Sequence, residues 1–303
     1  MQLLLLIILI ASVYCAALLI HQGVFSRRSL RLAPRRPNRL GLLHAVIAAA
    51  VFYGWILFLV RSPGPLLFFV HSNYKAYLFW AGVIWFISHC AVLLLLIAVA
   101  KRGFGNLSNV GLTWARLPAG LRFGGVSFLL AAPLLAVVTG LSSWLYRCVM
   151  GENPPVHPIL RFFASHPPWP QFIMVAIYLC LWDPLIEELL FRGILQTAIS
   201  NILDRRRARL EMPAGEGMDT ASASELLRPI ATDRWTAILI TAAIFAASHL
   251  YLAPGAIAWM PAIFVCGCVL GFVYERTGNL CANWVNHCLL NTVALLTYLS
   301  FHR

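Results

Sequence analysis

Eight stretches of about 20 residues run through this chain with hardly a charge: Gln2–Ile20, Gly41–Val60, Ala76–Ala100, Gly124–Tyr146, Gln171–Thr197, Thr236–Ala253, Ala256–Tyr274 and Leu280–Ser300. A helix rises about 1.5 Å per residue, so roughly 20 apolar residues span the hydrocarbon core of a bilayer. In lipid each backbone N–H and C=O must find its partner within the protein, and long unbroken apolar runs achieve this as helices. The expected fold is therefore all-α: a polytopic membrane helix bundle of about eight transmembrane helices. A ninth apolar patch, Leu66–Val70, is too short and adjoins Pro63 and Pro65, so it reads as an interfacial turn. Only 11% of the residues are charged, against about 25% in a soluble domain. That excludes a soluble enzyme, a disulfide scaffold and a disordered chain. The first span lacks a basic leader and a small-residue cleavage site, so it is expected to stay as a helix.

The net charge of +12 reads as topology, because short cytoplasmic loops retain Lys and Arg. The alternate loops after spans one, three, five and seven carry 17 of the 23 basic residues, and the opposite side carries 5. The remaining one, Arg192, lies inside a span. This split places both ends of the sequence outside the cytoplasm and predicts contact with anionic lipid headgroups rather than nucleic acid. A bacterial inner (plasma) membrane is the expected location. The polar stretch Asp204–Arg234, with six acids and six bases, reads as a cytoplasmic loop (203–235) with a short surface helix near Ser224–Arg228. Seven of the eight cysteines lie in or beside spans and read as small buried hydrophobes.

Three of the eleven acids fall inside one apolar span: Asp183, Glu187 and Glu188. Ionisable groups in a membrane are costly and mark internal cavities or partners. Asp183 before Pro184 predicts an N-cap, with the fifth span broken there and a second helix starting. Glu188 and Arg192, four apart, share a face and can pair. Glu187 points about 100° away, past the midplane toward the cytoplasmic half. Two further polar features are His249 near the end of span six and the stripe Asn283, His287, Asn291, which recurs every four residues on span eight. Each alone fits interhelical hydrogen bonding. Together they suggest a site.

Two chemistries fit this set. A free carboxylate beside a histidine can deprotonate water, and a second histidine with an amide can hold the oxyanion of an attacked carbonyl. Alternatively Glu187, His249 and His287 can ligate zinc. The helical His-Glu-x-x-His pattern is absent, which counts mildly against metal. A transporter would also use intramembrane carboxylates, but no paired halves are evident.

Glu187-Glu188-x-x-x-Arg192, Phe245-x-x-x-His249 and His287-x-x-x-Asn291, in this order on separate spans, resemble the CAAX prenyl endopeptidase and bacteriocin-processing family, also called CPBP or Abi. The resemblance covers roughly Gln171–Val293. It implies a motif-bearing catalytic membrane core at 166–303, behind an N-terminal four-span region at 1–165, with a cavity opening toward the cytoplasmic side. It also implies an intramembrane endopeptidase that needs no cofactor and acts on a protein or peptide substrate at the membrane. In that reading Glu187 activates water, His249 assists, and His287 with Asn291 forms the oxyanion site. Glu188 and Arg192 order the motif, and Asp183 and Phe245 are framework. A zinc protease with the same residues and a non-catalytic immunity or scaffold protein of the same fold are the alternatives.

Overall fold

The computed structural model describes residues 38–61, 74–211, 231–250 and 255–301, with scattered positions between 10 and 30. Most of the first expected span, the arginines at 27, 28, 31, 35 and 36, the Leu66–Val70 turn and the expected surface helix near Ser224–Arg228 lie outside the described residues. The described chain is helical, with no strand among its residues. The helices are α1 (Leu42–Arg61), α2 (Tyr74–Phe104), α3 (Leu117–Met150), α4 (Pro158–Ala164), α5 (Trp169–Ile177), α6 (Asp183–Glu188), α7 (Thr197–Glu211), α8 (Ala231–Ala247), α9 (Met260–Thr277) and α10 (Leu280–Phe301). Three segments among the described residues are long and apolar enough to cross a membrane: Phe86–Phe104, Leu107–Met150 and Ala256–Thr277. Leu42–Trp55 is a shorter apolar helix. This is an integral membrane chain. The expected count of eight spans is not established by these residues.

Proline and glycine place several helix ends. Pro118 and Pro261 sit in the first turns of α3 and α9, where a missing N–H costs nothing. Gly151 and Gly278 close the same two helices with φ of 73° and 56°, a left-handed conformation that glycine adopts freely. Outward-facing Val137, Leu141 and Leu145 on α3 are more than half exposed, as lipid-facing side chains should be.

The chain from Trp169 to Glu211 is one continuous helical run rather than the broken span expected at Asp183. Trp182 and Asp183 both keep right-handed helical angles, and Asp183 does not cap. Its carboxylate instead accepts the Tyr178 hydroxyl at 2.9 Å. Pro184 has no N–H, and its ring would crowd the carbonyl four residues back. The chain accommodates this by widening into a π-helical turn at Tyr178–Trp182. A second π-helical stretch, Leu189–Gln196, follows α6. Such insertions in a helix are rare and bend it locally.

Small residues set the closest approach between helices. A Cβ on Gly124 of α3 would stand 2.7 Å from the Ala282 carbonyl oxygen and from Val285 Cβ on α10, and one on Gly120 would stand 2.7 Å from Cys281 Cβ. The Gly120-x-x-x-Gly124 spacing thus lets α3 lie directly on α10, a contact in which small residues replace the hydrophobic drive that lipid removes. Asn286 on α10 then donates to Ser127 Oγ at 2.8 Å. The buried centre joins Leu190, Phe191 and Ile194 with Phe245, Tyr274 and Leu280, and with Ala48 and Phe52 of α1 and Val92 and Leu96 of α2.

The described parts of the four basic loops meet at one end of the bundle. Asn201 donates to Asn38 Oδ1 and to the Leu40 carbonyl, Arg39 N–H to the Gly103 carbonyl, and Arg116 to the Gly278 carbonyl. Arg234 pairs with the buried Glu275 at 2.5 Å. At the opposite end Trp259 donates to the Pro155 carbonyl and Tyr146 to Glu152. The alternation read from charge is therefore reflected in which loops touch.

Candidate active site

Glu188 is the most enclosed acid of the motif. Its side chain and that of Arg192 are both fully buried and pair at 2.9 Å, four residues apart. Arg192 Nη1 and His287 Nδ1 both meet Glu188 Oε1 at 2.9 Å, and Asn283 Nδ2 donates to Oε2 at 3.1 Å. A carboxylate in a dry interior is tolerable only when paired and hydrogen-bonded in this way. The Arg192 guanidinium also lies 4.6 Å from the centre of the Phe245 ring, and the same ring meets the edge of His249. Phe245 thereby separates the ion pair from the histidine.

Glu187 faces elsewhere, as the helical period requires. His249 Nε2 stands 3.7 Å from its Oε1 and His287 Nε2 stands 3.6 Å from its Oε2. These separations are too long for direct hydrogen bonds. They fit a group shared between carboxylate and ring. Each imidazole is oriented from behind: His249 Nδ1 lies 2.8 Å from the Phe245 carbonyl and His287 Nδ1 lies 2.9 Å from Glu188. A proton assigned to Nδ1 satisfies both contacts and turns both Nε2 atoms toward Glu187. The helix α8 ends at Ala247, short of the expected Ala253, so His249 sits on the tight turn after it. That turn is at the end of α8 away from Arg234 and the basic loops.

The structure thus brings Glu187, Glu188, Arg192, His249 and His287 into one cluster. Asn291 is placed differently. Its amide donates to the Leu179 carbonyl at 2.9 Å, within the first π turn. The whole polar stripe of α10 is engaged with the span opposite, Asn283 and His287 on Glu188 and Asn291 on Leu179, while Trp284 beside the stripe donates to the Leu181 carbonyl at 2.8 Å. Glu187, His249 and His287, the set a zinc ion would need, converge on Glu187. Yet no group of three or more His, Cys, Asp or Glu among the described residues is spaced to hold a metal ion.

Residues 169–293 match the family model of type II CAAX prenyl endopeptidase Rce1-like proteins. Over this region the chain is similar to Rce1-like proteins. The match spans α5 to α10 and contains every residue of the cluster. The family is one of membrane peptidases, and a peptidase is the general activity class it supports for this chain. No curated protein and no solved structure matches the chain.

The matched region also holds polar residues that were not among the expected site residues. Asn283 was visible only as a member of the stripe, yet it anchors Glu188 and donates to the Leu270 carbonyl at 2.6 Å. Glu275, just past an expected span end, is fully buried between Arg234 and Gln196. Outside the domain, His157 of the α3–α4 loop caps α4 through Nδ1. Burial, and then the neighbouring His249, lower its pKa to about 4. A lone histidine among prolines gave no signal of that proximity.

Proposed function

We propose that this chain is an intramembrane endopeptidase in which Glu187 activates the attacking water. The observation that carries the reading is the carboxylate of Glu187 flanked by two imidazole Nε2 edges, beside a second carboxylate held by Arg192. Glu187 takes a proton from a water held against it, and the hydroxide oxygen bonds to the scissile carbonyl carbon as the C=O electron pair moves onto oxygen. His287, carrying N–H on both ring nitrogens, keeps Nδ1 on Glu188 and stabilises that oxygen through Nε2. His249 with Glu187 returns the proton to the leaving amine as the C–N bond breaks. Glu188, Arg192 and Asn283 position His287 without touching the substrate. The oxyanion role expected of Asn291 would require its amide to leave the Leu179 carbonyl.

No cofactor enters this mechanism. The substrate is a protein or peptide lying in or on the membrane, and the basic end of the bundle meets anionic headgroups. The described helices α1 and α2 share one buried cluster with the core, in which Ala48, Phe52, Val92 and Leu96 join Phe191 and Phe245.

The test compares peptide termini in membranes carrying wild-type chain and Glu187→Gln, read by mass spectrometry. Termini that appear only with the wild type support the reading. Identical sets, with the variant present at wild-type level, overturn it. A non-catalytic scaffold would instead keep its cellular phenotype in the Glu187→Gln strain.

A further inference from the structure

The polar groups along the span that carries the glutamates form a ladder whose exposure changes in one direction. At its base, where the basic loops gather, Gln196 donates to the Gly271 carbonyl and to Glu275, and Glu275 pairs with Arg234. One turn further along, Arg192 and Asn283 both donate to Glu188. Of these six residues, Arg234 is nearly buried and the other five are fully buried. Two hydrogen-bonded layers cut off from solvent therefore close the bundle between the basic loops and Glu187. Polar groups held in a dry interior in this way stay closed, because parting them would strand charges.

Exposure begins at Glu187 and grows away from the basic end. The side chain of Glu187 is 11% exposed and that of His249 18%. Asp183, one turn before Glu187, is half-buried. His249 stands just past the end of α8, whose run from Arg234 to Ala247 covers about 20 Å at about 1.5 Å per residue. The next described residues after this turn pack against the end of α3 and the chain beyond it. A Cβ on Gly255 would stand 2.7 Å from the Tyr146 hydroxyl, and Trp259 donates to the Pro155 carbonyl. His249 thus belongs to the layer of turns opposite the basic loops.

We infer that the site opens at the end of the bundle opposite the basic loops, so that its substrate is a polypeptide segment on the non-cytoplasmic side of the membrane. The inference rests on the peptidase reading above. It also rests on the charge asymmetry that assigns the basic loops to the cytoplasm. It departs from the cytoplasmic opening that the family resemblance implies. The layers around Glu188 and Glu275 are the floor of the site, and both water and peptide reach Glu187 past His249. Substrates of this kind are the outer juxtamembrane segment of a membrane protein or a peptide already carried across the bilayer. A translocation or membrane-insertion step must therefore precede the cleavage.

The experiment uses the full chain carrying Cys148→Ser, in sealed membrane vesicles of either orientation, with a charged, membrane-impermeant methanethiosulfonate. In His249→Cys, reagent added to right-side-out vesicles should abolish later maleimide labelling of that position in the denatured chain. Reagent added to inverted vesicles should leave that labelling intact. Arg205→Cys, on the exposed side of α7, should show the reverse. A thiol at position 249 blocked from inverted vesicles, from both faces or from neither overturns the inference. Ser248→Cys, close in size to the native residue, decides in the same way should His249→Cys fail to fold. A second arm uses a charged quenched peptide spanning a bond that wild-type membranes cut and Glu187→Gln membranes do not. Right-side-out wild-type vesicles should cut it, and inverted ones only after detergent. Cutting by intact inverted vesicles overturns the inference. A peptide cut equally well by Glu187→Gln sinks the peptidase reading itself, and the thiol result still decides which way the site opens.

Discussion

Replacing Arg192 by Met removes the guanidinium paired with Glu188 while leaving a side chain of similar length. Losing one partner of a buried ion pair costs about 3–5 kcal/mol, because the other charge is stranded. Two features of this site set the size. Glu188 keeps hydrogen bonds from His287 and Asn283, which soften the loss. The guanidinium over Phe245 at 4.6 Å is lost as well, worth about 0.5–2 kcal/mol. We expect about 3–4 kcal/mol, or a fall in Tm of roughly 6–16 °C at about 2–4 °C per kcal/mol, measured by thermal unfolding of the purified chain in detergent. In Glu188→Gln/Arg192→Met no carboxylate is stranded, and the Gln oxygen still accepts from His287. That double variant should recover to within about 1–2 kcal/mol of wild type. A single variant that loses less than about 1 kcal/mol, or a double variant no better than the single, would refute the view that Arg192 exists to hold Glu188.

Asn283→Ala should cost about 1–3 kcal/mol, since Glu188 and the Leu270 carbonyl both lose a donor, and Tm in detergent measures it. Gly124→Val should force α3 away from α10 and lower Tm further than Gly125→Val, because a Cβ at Gly125 meets nothing within 4 Å. His157 has a folded pKa depressed from the ordinary 6.5 to about 4, so the unfolded chain binds the extra proton first as pH drops. Stability from this residue is complete above about pH 6.5 and lost as pH falls toward 4, and His157→Gln should flatten that part of a Tm-against-pH curve. Cys148, exposed beside the Gly151 cap, should react with a membrane-impermeant maleimide on intact cells if the basic loops are cytoplasmic. Labelling that requires permeabilised cells would reverse the orientation.

Charge and apolar length made the helical membrane class legible, and the Glu188–Arg192 pairing followed from a spacing of four. The separate orientation of Glu187 followed from the same helical period. The cap at Asp183 did not survive. Sequence rules treat proline as a helix stop, whereas here a widened turn absorbs Pro184, and local patterns do not encode hydrogen bonds reaching one residue further. The convergence of His249 and His287 on Glu187 depends on three helices crossing, which no single segment specifies. The packing of Gly120 and Gly124 against α10 depends on a pairing of two helices that neither segment specifies.

A π turn is an α-helix carrying one surplus residue, so the two that flank Glu187 act as phase shifters. Deleting one residue from Tyr178–Trp182 would let that stretch close as ordinary α-helix and rotate everything before it by about 100° relative to the glutamates. The motif itself would be intact in sequence, and Glu188 would still meet Arg192. Asn291 and Trp284, however, would no longer find the carbonyls of Leu179 and Leu181, and Asp183 would lose the Tyr178 hydroxyl. Relatives compared by motif alone would therefore align perfectly while differing in which face of the span looks at α10. For this architecture the number of residues between motif positions carries as much chemical information as their identity.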